Sequence, residues 1–228
     1  MTLEAFIKGK TGELKTKLAQ RLFLDSKKYH VFNDVIIPSN STSTQIDHVI
    51  VSQYGIFVVE TKNKDGWIFG DSNDEQWTQA FYKKKFKFQN PLRQNYRHTR
   101  SLAELLGIDH GKTHSLVIFW GKCQFKTQMP ENVLNKKYTS YIKSKKQILL
   151  TNDEVDRICN ELQRVQDNTP FLGGWHHARA LKKRYESSTI CPKCGGSLIE
   201  RIAHNGKGRG QKFLGCENYP HCHYTKEL

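Results

Sequence analysis

No run in the 228 residues approaches the roughly 18 consecutive apolar residues that a membrane-spanning helix needs. Together with a mean hydropathy of -0.67, this argues against a membrane protein. The first residues, Met1-Thr2-Leu3-Glu4-Ala5-Phe6, lack the basic segment and longer apolar segment of a secretory leader, so a cytoplasmic protein is the expectation. Acidic groups are scarce: 22 Asp and Glu face 36 Lys and Arg, a formal net charge of +14. Such a surplus concerns partners, because a polyanion gains by releasing condensed counterions to it. Nucleic acid fits best, with a generically basic surface as the alternative. Cysteine is nearly absent from the first 190 residues, where only Cys123 and Cys159 occur. Cys123 follows an apolar strand-like run and Cys159 sits in a helical pattern, which suits small buried hydrophobes better than reactive thiols.

What is present is organised around residues 46–62. Two β-branched, apolar runs flank a short turn at Tyr54-Gly55, the signature of a β-hairpin. Strand side chains alternate between faces, so Glu60 and Lys62 point the same way. A turn of two or four residues puts Asp47 on that face too; a turn of three puts it on the opposite one. Two carboxylates and an ammonium on a greasy hairpin are costly unless they pair or hold a metal ion. A structural Lys–carboxylate pair at the sheet end fits the same pattern.

Upstream, Leu14, Leu18 and Leu22 at four-residue spacing predict a helix over 11–24, with Thr11 as cap and Glu13 in its first turn. Residues 30–37 read as a strand ended by Pro38. Downstream, 67–70 reads as a short strand, and residues 77–90 alternate aromatic and basic groups. That alternation suits either an edge strand guarded by lysines or a surface for base stacking. Asn90-Pro91 caps a helix to about residue 106, with Gln94, His98, Leu102 and Leu105 along one stripe. Residues 115–121 predict a central strand and 147–151 a further short one, followed by a helix capped by Asn152 or Asp153. This alternation predicts an α/β fold with some parallel pairing.

Asp47 followed by Glu60-Thr61-Lys62 matches the D…ExK pattern of the PD-(D/E)xK nuclease superfamily. With Gly12-Glu13, the block from Ile46 to Asn63 and the later Asn90–Asn95 block, residues 8–120 resemble the NERD (nuclease-related) domain. The resemblance implies a restriction-endonuclease-like mixed sheet flanked by helices. It implies a Mg2+- or Mn2+-dependent deoxyribonuclease with Glu13, Asp47, Glu60 and Lys62 as catalytic residues. Asp47, Glu60 and the Thr61 backbone carbonyl would hold the ion, and Gln94 and His98 would contact the DNA backbone. His48 faces away, in a core or supporting role.

The other four cysteines crowd into the last 40 residues as Cys191-Pro-Lys-Cys194 and Cys216 to Cys222. Four thiolates in two pairs suit a closed tetrahedral Zn2+ site, and a segment this small needs the metal to fold. Cys-Pro-x-Cys-Gly-Gly, Phe213-Leu-Gly-Cys216 and Tyr219-Pro-x-Cys222 resemble the zinc ribbon of bacterial type I DNA topoisomerases. That resemblance implies binding of DNA, single-stranded by preference, through Lys207, Arg209, Lys212, Phe213 and Tyr219. The expected organisation is a nuclease-like domain over 1–165, a basic linker over 166–189 and the ribbon over 190–228. The expected function is a DNA endonuclease carried to DNA by its ribbon. The alternative is an inactive DNA-binding or adaptor protein in repair or defence.

Overall fold

The computed structural model describes residues 3–39, 42–168, 189, 191, 197–203, 210–217, 219 and 224–227, with side chains of 3–11, 38, 39, 42 and 43 left out. The chain divides into two compact units, Met1–Ile37 with Gln45–Asn168, and Pro38–Thr44 with Thr169–Leu228. In order, the first part of the chain forms α1 (Leu3–Phe23), β1 (His30–Ser39), β2 (Thr42–Ser52), β3 (Gly55–Asn63), β4 (Gly66–Phe69), β5 (Gln76–Ala80), β6 (Lys85–Gln89) and α2 (Pro91–Leu106). A 3-10 turn at His110–Lys112 leads into β7 (Thr113–Trp120), β8 (Cys123–Phe125), β9 (Val133–Leu134), α3 (Tyr138–Ser144) and α4 (Asn152–Asp167).

The expected α/β fold with a mixed sheet flanked by helices is what forms. Five strands run in the order β1-β2-β3-β7-β9, with β2 and β3 antiparallel and β3, β7 and β9 parallel. Ile56 to Val59 are buried on both faces of β3, which makes it the central strand. On one face Val49, Val51, Ile56 and Val58 meet Leu102 and Leu106 of α2 and Val155, Ile158 and Leu162 of α4. On the other, Ile50, Phe57 and Val59 meet Tyr138 and Ile142 of α3, with Ala19 of α1 packed alongside. A second sheet, β6-β5-β4-β8, buries Ile68 and Trp77 against Val117 and Phe119.

The helix ends have local causes. Asn90 caps α2 by accepting from the Leu92 N–H, and its amide donates to the carbonyls of Asp71, Ser72 and Asp74. Gly107 closes the helix at φ +60, a left-handed conformation that glycine adopts cheaply. For α4 the cap is Thr151, in a reciprocal capping box with Glu154, rather than the expected Asn152 or Asp153.

Three expectations are corrected. Helix α1 begins at Leu3, so Thr11 is not its cap and Glu13 lies well inside it. Its leucine stripe does not face the core: Leu14, Leu18 and Leu22 are exposed, while Gly12, Thr16 and Gln20 are buried. The polar face wins because its groups find partners. Thr16 accepts from the Trp120 indole N–H at 2.7 Å, and the Thr16 carbonyl accepts from the Tyr138 hydroxyl at 2.8 Å. A Cβ on Gly12 would meet the Asn63 and Trp120 side chains at 3.3 and 3.4 Å, so the helix packs closely here and a larger residue would have to push them aside. Finally, residues 147–151 form no strand. Leu149 and Leu150 both donate to the carbonyl of Gln53, which ties this segment to the hairpin turn instead.

In the second unit, β10 (Leu198–Ile202), β11 (Lys212–Cys216) and β12 (Thr225–Glu227) form an antiparallel sheet. Cys191, Leu198, Leu214 and Cys216 make its small core. The basic connector from 169 to 188 lies outside the described residues.

Candidate functional site

The hairpin closes through a two-residue turn, Gln53-Tyr54, flanked by the pair Ser52 and Gly55, one residue earlier than the sequence suggested. The ladder continues to His48 opposite Val59, and one further step sets Asp47 across from Glu60. Asp47 does not extend the ladder by its backbone. Its Oδ2 accepts instead from the Thr61 N–H at 2.8 Å and the Thr61 hydroxyl at 2.7 Å. The Thr61 side chain is turned toward Asp47, because a carboxylate withdrawn from water needs nearby donors. Because the N–H and C=O of one strand residue face the same edge, the Thr61 carbonyl lies on the Asp47 side of β3.

Glu60 is 2% exposed. Its Oε1 accepts from Lys62 at 2.5 Å, while Oε2 has no hydrogen-bond partner and lies 3.5 Å from His98 Nδ1. Lys62 also donates to Gln94 Oε1 at 2.9 Å. Gln94 and His98, one turn apart on α2, are thus both brought to the Glu60–Lys62 pair. Burial first, and the Glu60 charge second, push the Asp47 carboxyl up to about 7, against the lowering effect of the Thr61 bonds and Lys62. Burial, then Lys62, lowers the Lys64 ammonium, which lies 4.5 Å over the Phe88 ring.

Glu13 is half-buried on α1, next to Gly12, which rests on Asn63 at the end of β3. The turn carrying Glu13 therefore reaches the end of the strand that bears Lys62. His48 lies apart from the site: its Nδ1 is 2.6 Å from Asn33 Oδ1, and burial lowers its pKa to about 4.

Asn95 escaped the sequence reading. It is fully buried, and its amide donates to the Val58 carbonyl at 2.9 Å, the Ser115 hydroxyl at 2.9 Å and the Leu116 carbonyl at 3.1 Å. It pins α2 to the seam between β3 and β7, and so sets the height of Gln94 and His98 above Glu60. No spacing in the sequence marked it, since an Asn within a helix reads as an exposed residue and its acceptors lie on two distant strands. Asn95→Ala is expected to destabilise the first unit by on the order of 3 kcal/mol, because it strands buried acceptors. Chemical denaturation checks this.

Can a divalent cation fit? Among the described residues no three His, Cys, Asp or Glu side chains cluster as ligands. Two carboxylates are in place, however. One oxygen of Glu60 is buried without a hydrogen-bond partner, and burial first, then the Glu60 charge, raises the Asp47 carboxyl. Hard oxygen donors short of positive charge suit Mg2+ or Mn2+, which keep several waters and need few protein ligands.

Of the ribbon residues, Cys191 and Cys216 are buried together. Cys194, Cys222, Lys207 and Arg209 lie outside the described residues. Lys212 bridges to Glu200 at 2.6 Å on an exposed surface, and Phe213 pairs across the sheet with Arg201. Tyr219 is exposed, with the Arg201 guanidinium 5.7 Å from its ring.

The profile of the nuclease-related domain, NERD, matches residues 8–120, and that of the topoisomerase DNA-binding C4 zinc finger matches residues 188–228. An uncharacterized protein of Bacillus anthracis is 39% identical over 169 residues, which are 69% of this chain and 76% of that protein. DNA topoisomerase 1 of Helicobacter pylori is 29% identical over 104 residues, 42% of this chain and 13% of the topoisomerase. DNA topoisomerase 1 of Methanocaldococcus jannaschii is 53% identical over 43 residues, 19% of this chain and 5% of that enzyme. Among solved structures, Pyrococcus furiosus SfsA in complex with Ca2+ aligns at 14% identity over 70% of this chain and 53% of that one, with a TM-score of 0.25 that bears on nothing further. The chain belongs to the NERD family, and it joins this nuclease-related domain to a topoisomerase-type C4 zinc ribbon. Among the described residues no helix is long and apolar enough to cross a membrane.

Proposed function

We propose that this protein is a metal-dependent DNA endonuclease whose zinc ribbon holds DNA, single-stranded by preference. The observation that supports it most is the buried Glu60 carboxylate, one oxygen on Lys62 and the other without a donor, facing Asp47 across the hairpin. In hydrolysis a water oxygen attacks phosphorus, one P–O ester bond breaks, and the leaving alkoxide takes up a proton. A bound Mg2+ or Mn2+ supplies the charge clamp and a more acidic water. Asp47, Glu60 and the Thr61 carbonyl would hold it, with Glu13 supporting a second ion or a bound water. Lys62 orients the attacking water and opposes the charge that builds on the phosphoryl oxygens. Gln94 fixes the ammonium from the far side, and with His98 it lines the approach of the DNA backbone. In the ribbon, Lys207, Arg209 and Lys212 would meet phosphates, and Phe213 and Tyr219 would stack on bases. Cys191, Cys194, Cys216 and Cys222 would be the Zn2+ ligands.

Among the described residues no third acidic side chain clusters with Asp47 and Glu60, which favours a second reading, a protein that holds DNA without cutting it. Purified protein is expected to nick plasmid DNA in Mg2+ or Mn2+, and Glu60→Gln and Lys62→Ala are expected to cut at least 100-fold more slowly. Equal rates for the variants, or no cleavage by the wild type on single- or double-stranded DNA, would leave the second reading standing.

A further inference from the structure

The sheet β6-β5-β4-β8 buries one face only. Ile68, Trp77 and Phe88 point into the core. Strand alternation puts Trp67 and Phe69 on the other face, where they are 36% and 37% exposed. The register lays out two cross-strand rows there. Trp67 lies beside Ala80 and then Lys85; Phe69 lies beside Thr78 and then Lys87. Ala80, between Trp67 and Lys85, is buried, and the hollow beside Phe69 and Thr78 is lined also by Asp71 and Asp74. On the other side Lys126 stands 5.5 Å over the Trp67 ring, and the Tyr82 ring, 94% exposed, lies 6.0 Å from it. Among the described residues Lys85, Lys87 and Lys126 have no carboxylate partner. Protection of an edge strand would account for Lys85 and Lys87. It does not account for aromatic rings left in water beside them.

The geometry points to this face as a platform for one nucleic-acid strand, with bases stacked on Trp67 and Phe69 and phosphates on Lys85, Lys87 and Lys126. The rings stand about 7 Å apart along β4, room for successive unstacked bases. A duplex keeps its bases inside and offers the rings nothing. Trp67 follows Lys62 by five residues, about 17 Å of extended chain at most, so the platform begins within that distance of the Glu60–Lys62 pair. The assignment concerns binding and holds whether or not that pair cleaves.

The test uses the full-length protein and a fluorescent deoxyoligonucleotide with no added divalent cation. Bound oligonucleotide is expected to quench tryptophan fluorescence in the wild type, and less so in Trp67→Phe. Trp67→Ala with Phe69→Ala is expected to weaken binding tenfold or more. Lys85→Gln with Lys87→Gln is expected to flatten the dependence of log affinity on log salt by about 1.4. None of the four side chains lies in the core, so both double variants are expected to stay folded, which melting curves check; the aromatic pair should melt somewhat lower because Trp67 and Phe69 are about two-thirds covered. Wild-type affinity and salt slope in both folded double variants would overturn the platform. An equal loss for duplex DNA would overturn its assignment to a single strand.

Discussion

Asp47→Asn is expected to melt higher than the wild-type protein at pH 8 and to cleave no DNA. The wild-type carboxyl titrates near 7 when folded, against an ordinary value near 3.9 when unfolded. A carboxyl raised in this way favours folding fully below the unfolded value, and that contribution is lost as pH rises through 7. At pH 8 folding therefore carries a buried charge costing on the order of 4 kcal/mol. Asparagine removes that charge while keeping an oxygen for the two Thr61 bonds. The gain should be roughly 8–16 °C for the first unit, shrinking toward zero as pH falls to about 4. His48 has the opposite sign: its depressed pKa, about 4, gives stability that is lost as pH falls from 6.5 through 4. Because His48 is present in both proteins, it cancels from the difference between them. Added Mg2+ should raise the wild-type melting temperature and leave that of the variant alone. A variant that melts with the wild type at pH 8, or still cleaves, would remove Asp47 from the proposed site.

Removal of zinc is the second large effect. The described ribbon core has four members, Cys191, Leu198, Leu214 and Cys216, two of which are the expected metal ligands. So small a core cannot offset the entropy of ordering three strands. A structural zinc ion contributes on the order of 10 kcal/mol in such modules. A strong chelator should therefore abolish amide-exchange protection along the β10–β11 ladder, from Leu198–Cys216 to Ile202–Lys212. Protection of β3 and β7 in the other unit should persist. Cys216→Ser should do the same without a chelator. If the ladder stays protected after the metal is gone, the ion is not what folds the ribbon.

The site's central geometry was legible in the sequence because it depends on parity. Once the runs flanking the turn read as strands, an even turn placed Asp47, Glu60 and Lys62 together, and the two-residue turn does so. Other features were less legible. The α1 stripe of Leu14, Leu18 and Leu22 follows the helical period yet faces outward, because periodicity finds a face without saying what covers it. Here Gly12 and Thr16 win the contact through close approach and hydrogen bonds with Trp120 and Tyr138, residues more than 100 positions away. Residues 147–151 have strand composition, but their N–H groups were claimed by a turn carbonyl. Asn95 was invisible for the same reason: its acceptors lie on two strands, and only the assembled seam shows that it is a wedge.

The short turn at Gln53-Tyr54 constrains how this protein can change over time. Adding a single residue there would rotate Asp47 to the far side of the sheet while leaving the apolar count untouched. Such a slip would also turn the core residues Val49, Ile50 and Val51 over, so an odd insertion is compatible with the fold only as a bulge or wider turn that leaves the register intact.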